Sequence, residues 1–375
     1  MVEESTECTA DPRKNDFFPC PTKALSIESS LYIKQYPQLY YGHARNGCPL
    51  FISQPGMINI DAISVLTNLP KIINFHWYAM MHEYARKLQD EQRASNGTFK
   101  RFECVCILDL AGLTASKVGK RELNLIKVQA AIDSLCFPET LNKMVIVNAP
   151  AFFTLTWKII RGWIDQRTSA KVEVIGSSKP KLLKKLSIFI DPKNLPADYG
   201  GSGVSIRDFL KDDMLQMAES RREIGSKLKL VEEEPCMVSF STSSSKSISV
   251  DREKFVKLSF LTRTLVGCKI IVKEFNSGKV IAAIDAIHNG KVEDDANETS
   301  TRYDLEDSGV ILQGKASFEV ELVSNGNKRK MINVMMVIKT FVTDSAKLST
   351  LEVNEGQKPL AAINTKHVSI CTGVF

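Results

Sequence analysis

Two hydrophobic rhythms follow one another along the chain. From about residue 50 to residue 176, short apolar runs alternate with segments of helical period. The runs at 49–53 (PLFIS), 103–110 (ECVCILDL), 144–149 (MVIVNA) and 171–176 (KVEVIG) lack polar alternation, as strands covered on both faces do. Helical spacing between them predicts helices over 60–88, 120–136 and 151–164. That order predicts an α/β layer with a mainly parallel sheet. Residues 204–230, containing RDFLKDDMLQMAESRREIGSKLKL, read as a charged helix, and STSSSKS at 241–247 reads as a linker or loop. The rhythm then changes. KFVKLSFL, CKIIVKEF, KVIAAIDAI, ASFEVELVS and MINVMMVIKTFV are strand-like, with turn signals NSG at 276–278, HNG at 288–290 and NGN at 325–327. No helical pattern intervenes. The pattern predicts a second, all-β domain over 238–342, a sandwich. Residues 343–375 read as a polar tail or a returning edge strand.

The segment VIVNAPAFFTLTWKIIRGWIDQRT, from Val145 to Thr168, breaks the usual amphipathic rule. Phe152, Phe153, Trp157, Ile159, Ile160, Trp163 and Ile164 cover most of its circumference, and Thr154, Lys158 and Arg161 form a narrow polar stripe. A membrane-spanning helix needs about 20 mostly apolar residues, and this one is shorter and carries Lys158, Arg161 and Gly162. Two readings remain. It is a buried core helix, or it is a lid over an apolar cavity that also touches a membrane, where aromatics paired with basic residues are at home.

Composition narrows the class without choosing between them. The 375 residues are 43% hydrophobic and 25% charged, enough for two domains with real cores. A net charge of +6 is mildly basic. Lys and Arg do not cluster as nucleic-acid binding requires, but they suit an anionic membrane surface. The N-terminus MVEESTECTADPRKNDFFPC has no apolar core and does not read as a secretory signal. Nine cysteines at scattered spacings, with no CxxC pair, read as buried thiols in a reducing compartment. The chain is therefore expected in the cytoplasm.

Catalytic motifs fail on spacing. GLTASKVGK at 112–120 has six residues between Gly112 and Gly119 and no Ser or Thr after Lys120, so it is no phosphate loop. YGGSG at 199–203 is neither a dinucleotide fingerprint nor a nucleophile elbow. His76 and His82 are not spaced to share a metal on one helix face, and structural or surface roles suit both. Cys104 and Cys106 share one face of a strand and read as small buried hydrophobes. The expectation is a protein that is not an enzyme and needs no cofactor beyond a bound ligand.

The ordered stretches YPQLYYGHARNGCPLFISQPGMINIDAI, CVCILDLAGL, FPETLNKMVIVNAPAFFTLTWKIIRGWIDQRTSAKVEVIGSS and NLPADYGGSG resemble the CRAL-TRIO lipid-binding domain, in its phosphatidylinositol-transfer-protein-like branch. The resemblance covers residues 32–203, leaving 1–31 as an N-terminal tail and 204–237 as a helical linker. Residues 238–342, with ELVSNGNKRKMINVMMVIKT, resemble a GOLD domain.

The resemblance implies that the helix after NAP is a gate over a pocket holding one lipid. Phe152, Phe153, Trp157, Ile160 and Ile164 would line or close that pocket, with Cys104 and Cys106 on its wall. Burying a phospholipid's roughly 30 methylene-type carbons at about 0.8 kcal/mol each is worth on the order of 20 kcal/mol, so a carrier must supply an equally apolar chamber. In phosphatidylinositol-binding members a Glu and a Thr-x-x-Lys set contact the head group, and Glu139, Thr168 and Lys171 stand at those positions. Lysine supplies charge for the phosphate, while Glu and Thr can bond inositol hydroxyls. If the strands at 144–149 and 171–176 are parallel neighbours, Glu139 and Lys171 meet at one sheet edge. Ligands of open α/β sheets generally bind at the opposite, carboxyl edge.

Two departures qualify what carries over. Cys104 and Cys106 replace the Ser and Thr of phosphatidylcholine-binding members, and a thiol is a weak donor, which counts against a choline lipid. The family's helical module with a basic run is not found in the thirty or so residues before the match. Membrane contact is expected through Lys158 and Arg161, and through Lys328, Arg329 and Lys330 beside the NGN turn.

The expected function is binding and intermembrane transfer or presentation of one lipid, phosphatidylinositol foremost, by a protein peripherally associated with membranes. The alternatives are a neutral hydrophobic cargo such as a tocopherol, squalene or retinoid, and a membrane or Golgi adaptor whose β domain binds a protein partner.

Overall fold

The computed structural model describes residues 20–99, 101–176, 179–212, 228–251, 254–263, 268–286, 302–304, 310–313, 316–324 and 331–343. The main division into compact units falls after Lys211. In the first unit the elements run α1 (Pro21–Leu25), α2 (Ser29–Gln35), β1 (Gln38–His43), β2 (Pro49–Ser53), α3 (Ile60–Leu66), α4 (Leu69–Tyr78), a π-helical turn (Ala79–Tyr84) and α5 (Ala85–Ala94). They continue with β3 (Cys104–Asp109), α6 (Lys120–Cys136), β4 (Leu141–Val147), α7 (Phe153–Arg161), α8 (Gln166–Ala170), β5 (Val172–Val174) and α9 (Lys179–Leu186).

The five strands form one sheet in the order β1-β2-β3-β4-β5. β1 is antiparallel to β2, and the other neighbours are parallel. The expected mainly parallel α/β layer is therefore present. The helix expected over 60–88 is three segments. Pro70 sits in the first turn of α4, and Asn68 caps it through its side chain, so the chain must restart there. α1, α2, α8 and α9 do not appear among the helices the apolar rhythm predicted, and α5 does so only through residues 85–88. The first two fall at the end of the expected tail, and α9 is a lysine-rich helix whose only fully buried side chains among those described are Leu182 and Leu186.

The register sorts the sheet into two faces, because paired residues on parallel strands point the same way. One face carries Leu39, Leu50, Ile52, Val105, Ile107, Val145 and Val147, all at most 5% exposed. The other carries Tyr40, Phe51, Cys104, Leu108, Met144 and Val172 only half-buried, with Cys106 and Ile146 buried among them.

In the second unit, strands β6 (Leu228–Phe240), β7 (Ser243–Val250), β8 (Lys254–Arg263), β9 (Cys268–Glu274), β10 (Val280–Ala286), β11 (Arg302–Asp304), β12 (Val310–Gln313), β13 (Ala316–Ser324) and β14 (Ile332–Thr343) follow. They form two antiparallel sheets, β10-β9-β13-β7 and β11-β8-β14-β6, with β12 on β8. One apolar core joins them, including Leu258, Phe260, Ile270, Val272, Val320, Leu322, Val334 and Met336. The expected all-β region is therefore a two-sheet structure.

Two expectations at its start are corrected. Residues 228–237 are not helical linker but the first ten residues of β6, paired with β14 from Leu228↔Thr343 to Phe240↔Ile332. The acidic run Glu232–Glu234 hides the strand, and the long apolar β14 decides it by pairing. β6 is an edge strand, which accommodates Pro235. The serine stretch at 241–247 is not a linker either. Most of it opens β7, the edge strand paired to β13. Serines suit a strand whose outer rim faces water. The expected tails at 1–19 and 344–375 lie outside the described residues, as does the NGN turn with Lys328, Arg329 and Lys330.

Candidate lipid-binding site

The half-buried face of the α/β sheet is where the singled-out residues gather. α7 lies across it. Phe153 packs against Leu110 and Ile146, and Leu108, Met144, Trp157 and Val172 pack around that nucleus. The Phe153 and Trp157 rings stack at 6.4 Å between centroids. Only Phe153 of α7 is buried, while Phe152, Trp157, Ile160, Trp163 and Ile164 are half-buried. The 17-residue α6 beside it behaves alike: Leu123, Leu125, Ile126 and Val128 are half-buried, and Ile132 is its only buried hydrophobic residue. Apolar side chains on the sheet and on its helical cover thus share one condition: neither set is closed by the other, whereas ordinary cores pack to crystal-like density.

α7 is shorter and turned differently from the expected helix over 151–164. Gly162 caps it, so Trp163 and Ile164 lie beyond its end. The solvent stripe is not purely polar. Leu155 is 67% and Ile159 51% exposed, standing beside exposed Thr154, Lys158 and Arg161. Ile159, counted in the apolar circumference but not among the pocket-lining residues, belongs to this outer side. Its i, i+4 spacing from Leu155 would have shown this had Leu155 been counted.

At the amino end of β3 the thiols of Cys104 and Cys106 are 3.6 Å apart. Hydrogen bonding to Cys104, and then burial, push the Cys106 thiol well above its ordinary pKa. Tyr40 stacks on Tyr84 of the π-helical turn at 6.5 Å. The Tyr84 hydroxyl donates to the Phe102 and Thr140 carbonyls, tying the entries of β3 and β4 together. π-helical turns recur at functional sites, and no sequence signal marked this one.

The three head-group candidates do come together at the amino edge of β4 and β5, which are parallel neighbours. Lys171 Nζ donates to Glu139 Oε2 at 2.9 Å. The Lys171 ammonium holds the exposed Glu139 carboxyl below the usual carboxylate range. Glu139 has a φ of +60°, a left-handed conformation that a Glu adopts only under constraint. Thr168 lies in α8, its N–H donating to the capping Asp165 at 2.9 Å, and the Lys171 N–H donates to the Thr168 carbonyl at 3.0 Å. Next to it Ser169 Oγ is buried without a hydrogen-bond partner.

The carboxyl edge is filled instead by a polar hub that sequence reasoning missed. Asp109, 5% exposed, accepts from Asn148 Nδ2 at 2.7 Å, the Ala111 N–H at 2.9 Å, Tyr199 OH at 3.1 Å and Gln54 Nε2 at 3.4 Å. Asn148 reaches it from a φ of +56°, a conformation Asn tolerates. The YGGSG stretch is structural too: a Cβ on Gly201 would stand 1.9 Å from the Leu195 carbonyl oxygen. Of the histidines, His76 bonds Asp133 at 2.7 Å, joining α4 to α6, which is the structural role expected.

The mainly parallel sheet thus has one closed face and one half-buried apolar face, the latter covered by α6 and α7. Residues 33–201 match the model of the CRAL/TRIO domain. Relatives over this region include the phosphatidylinositol/phosphatidylcholine transfer proteins SFH12 and SFH11 of Arabidopsis thaliana, 30% identical over 172 residues and 31% over 174. Each alignment covers 45% of this chain, and 30% and 44% of those proteins respectively. The CRAL-TRIO domain-containing protein YKL091C of Saccharomyces cerevisiae is 31% identical over 174 residues, 46% of this chain and 53% of that one. The chain thus spans about half or less of the length of these curated relatives. Among solved structures, the crystal structure of Sfh5 aligns with a TM-score of 0.36 and 19% identity over 49% of this chain and 59% of that chain.

Proposed function

We propose that the protein is a non-enzymatic carrier that binds one phospholipid behind α7 and exchanges it at membranes. The observation that carries this reading is the half-buried apolar face of the sheet, met by an equally half-buried α6 and α7. Apolar surface left unfilled is costly at about 25 cal/mol per Å², and acyl chains would fill it. The named activity of the SFH relatives supports the same reading. So does the outer stripe of α7, where Leu155 and Ile159 stand beside Lys158 and Arg161 as in interfacial helices.

The head group in this reading is phosphatidylinositol, held at Glu139, Thr168 and Lys171. Lys171 would turn from Glu139 to the phosphate, Glu139 and Thr168 would take inositol hydroxyls, and the unpartnered Ser169 hydroxyl lies beside them. The Cys104–Cys106 wall, whose thiols are weak donors, favours acyl chains over a choline group. Residues 32–203 form the lipid-binding domain, and the β unit, which we read as GOLD-like, serves a protein partner or a membrane. The protein works in the cytoplasm, peripherally bound. A neutral cargo is the second reading, favoured by the weakly hydrogen-bonding thiol wall.

The test is lipid exchange between vesicles. Trp157→Asp with Ile160→Asp puts charge against acyl chains and should abolish transfer of phosphatidylinositol. A double variant that melts like the unsubstituted protein and still transfers lipid at the original rate would refute the carrier reading. Native mass spectrometry of the protein purified from cells identifies the cargo, and a bound mass without a phosphoinositol group would select the second reading.

A further inference from the structure

The face of the α/β unit away from α7 carries a feature that lipid carriage does not use. α9 continues as a helical turn past its end: Ser187 N–H donates to the Leu183 carbonyl and Ile188 N–H to that of Lys185. Lys181, Lys184 and Ile188, at i, i+3 and i+7, therefore form one stripe. Leu182 and Leu186 point inward and are fully buried, while Lys181 and Lys184 are exposed and Ile188 is 75% exposed. Among the described residues no acid pairs with Lys181 or Lys184. Lys185 is used by Glu173 at 2.6 Å, which also holds Lys143. Arg45 adds a cation beside the turn, its Nε donating to the Ser187 carbonyl and its guanidinium 3.6 Å from Asp191.

Glu173 pairs in register with Val145, so α9 is anchored from the closed face of the sheet, opposite the face that α7 covers. Water suits the lysines but penalises the protruding isoleucine, and nucleic acid would attract the lysines but offers the isoleucine nothing. An anionic bilayer answers both: its surface charge attracts the lysines, and its interfacial region receives the side chain.

We propose that the Lys181–Lys184–Ile188 stripe of α9 is a membrane-contact surface for anionic lipid bilayers, separate from α7. The proposal does not rest on the carrier reading, since it concerns neither the cargo nor the apolar face. The test uses the full chain with vesicles of phosphatidylcholine, with and without phosphatidylserine. Lys181→Glu with Lys184→Glu should lower affinity for the phosphatidylserine vesicles at least about tenfold, since each basic residue near such a surface contributes roughly fivefold. Ile188→Ser should weaken binding without flattening its salt dependence. Hydrogen exchange of the unsubstituted protein should show peptides spanning 179–190 protected by phosphatidylserine vesicles and not by phosphatidylcholine alone. Unchanged binding by the charge-reversed protein, or no protection of 179–190 on bound vesicles, overturns the proposal.

Discussion

Ile107 and Leu108 are chain neighbours on β3, yet they live in different solvents. Ile107 is wholly inaccessible, within a face whose seven apolar residues are at most 5% exposed; Leu108 is half-buried on a face where most of its neighbours are too. The strand contributes similar apolar volume to both sides. What differs is the cover. On the closed side α9 is tied to the sheet through Lys185 and Glu173 and its Leu182 and Leu186 are fully buried, while α6 and α7 stay mostly half-buried over the other side. A face closed in this way stabilises the fold, and a face left open is available to a ligand. In the proposed reading, stability and binding thereby fall to opposite sides of the same five strands.

That division can be broken most directly by paired substitutions. Ile107→Ala should destabilise by about 2–5 kcal/mol in urea unfolding, as a cavity in a sealed core does. Leu108→Ala should cost well under half as much. Equal costs would erase the distinction between the faces. The Asp109 hub sharpens the boundary, because it closes the carboxyl edge between them. Asp109→Ala strands four donors, the buried Tyr199 hydroxyl among them, and should cost on the order of 3 kcal/mol, whereas Tyr199→Phe removes one hydrogen bond and should cost about 1 kcal/mol. Both are read from the unfolding midpoint at constant m-value.

Overfilling separates the two sides by function instead. Met144→Trp on the open face should leave stability within about 1.5 kcal/mol and displace cargo, seen as a lower bound-lipid fraction in native mass spectrometry. A lipid fraction that stays the same would move the chamber elsewhere. The smallest effect belongs to the head-group edge. Lys171→Ala should leave the melting temperature unchanged, since an exposed ion pair stabilises little, and should lower phosphatidylinositol loading about tenfold. Because Lys171 depresses the Glu139 carboxyl, the pair is fully formed above the ordinary glutamate pKa and is lost as pH falls through the lowered value. Loading should therefore be flat through neutral pH and change only in acid.

The sequence was most readable where one period dominated. The strands at 49–53 and 103–110 and the helix at 120–136 stand where their apolar rhythm placed them, and the α/β and all-β divisions follow from them. It was least readable where partners decide structure. Glu232–Glu234 reads as a polar helix until β14 is set beside it, and Ser243–Ser245 reads as a linker until β13 is. In the site, Glu139 and Lys171 could be paired because both flank strands. The Asp109 hub could not be, since its members stand at 54, 109, 148 and 199 with no shared motif. Leu155 and Ile159 were hidden for another reason: an apolar helix offers no contrast by which to find its outward side.

The hub has a consequence for how the chain is made. Its hydrogen bonds span 39, 55 and 90 residues of sequence, and contacts so far apart form late because each closes a long loop. During synthesis, Asp109 is complete only after Tyr199 has left the ribosome. Until then a strand-end carboxylate and an apolar face would both be open to solvent, so the nascent domain would be a natural client of chaperones. A chain stopped before Tyr199 should remain protease-sensitive throughout 104–174, and extension by a few residues past it should convert that whole stretch to resistance in one step.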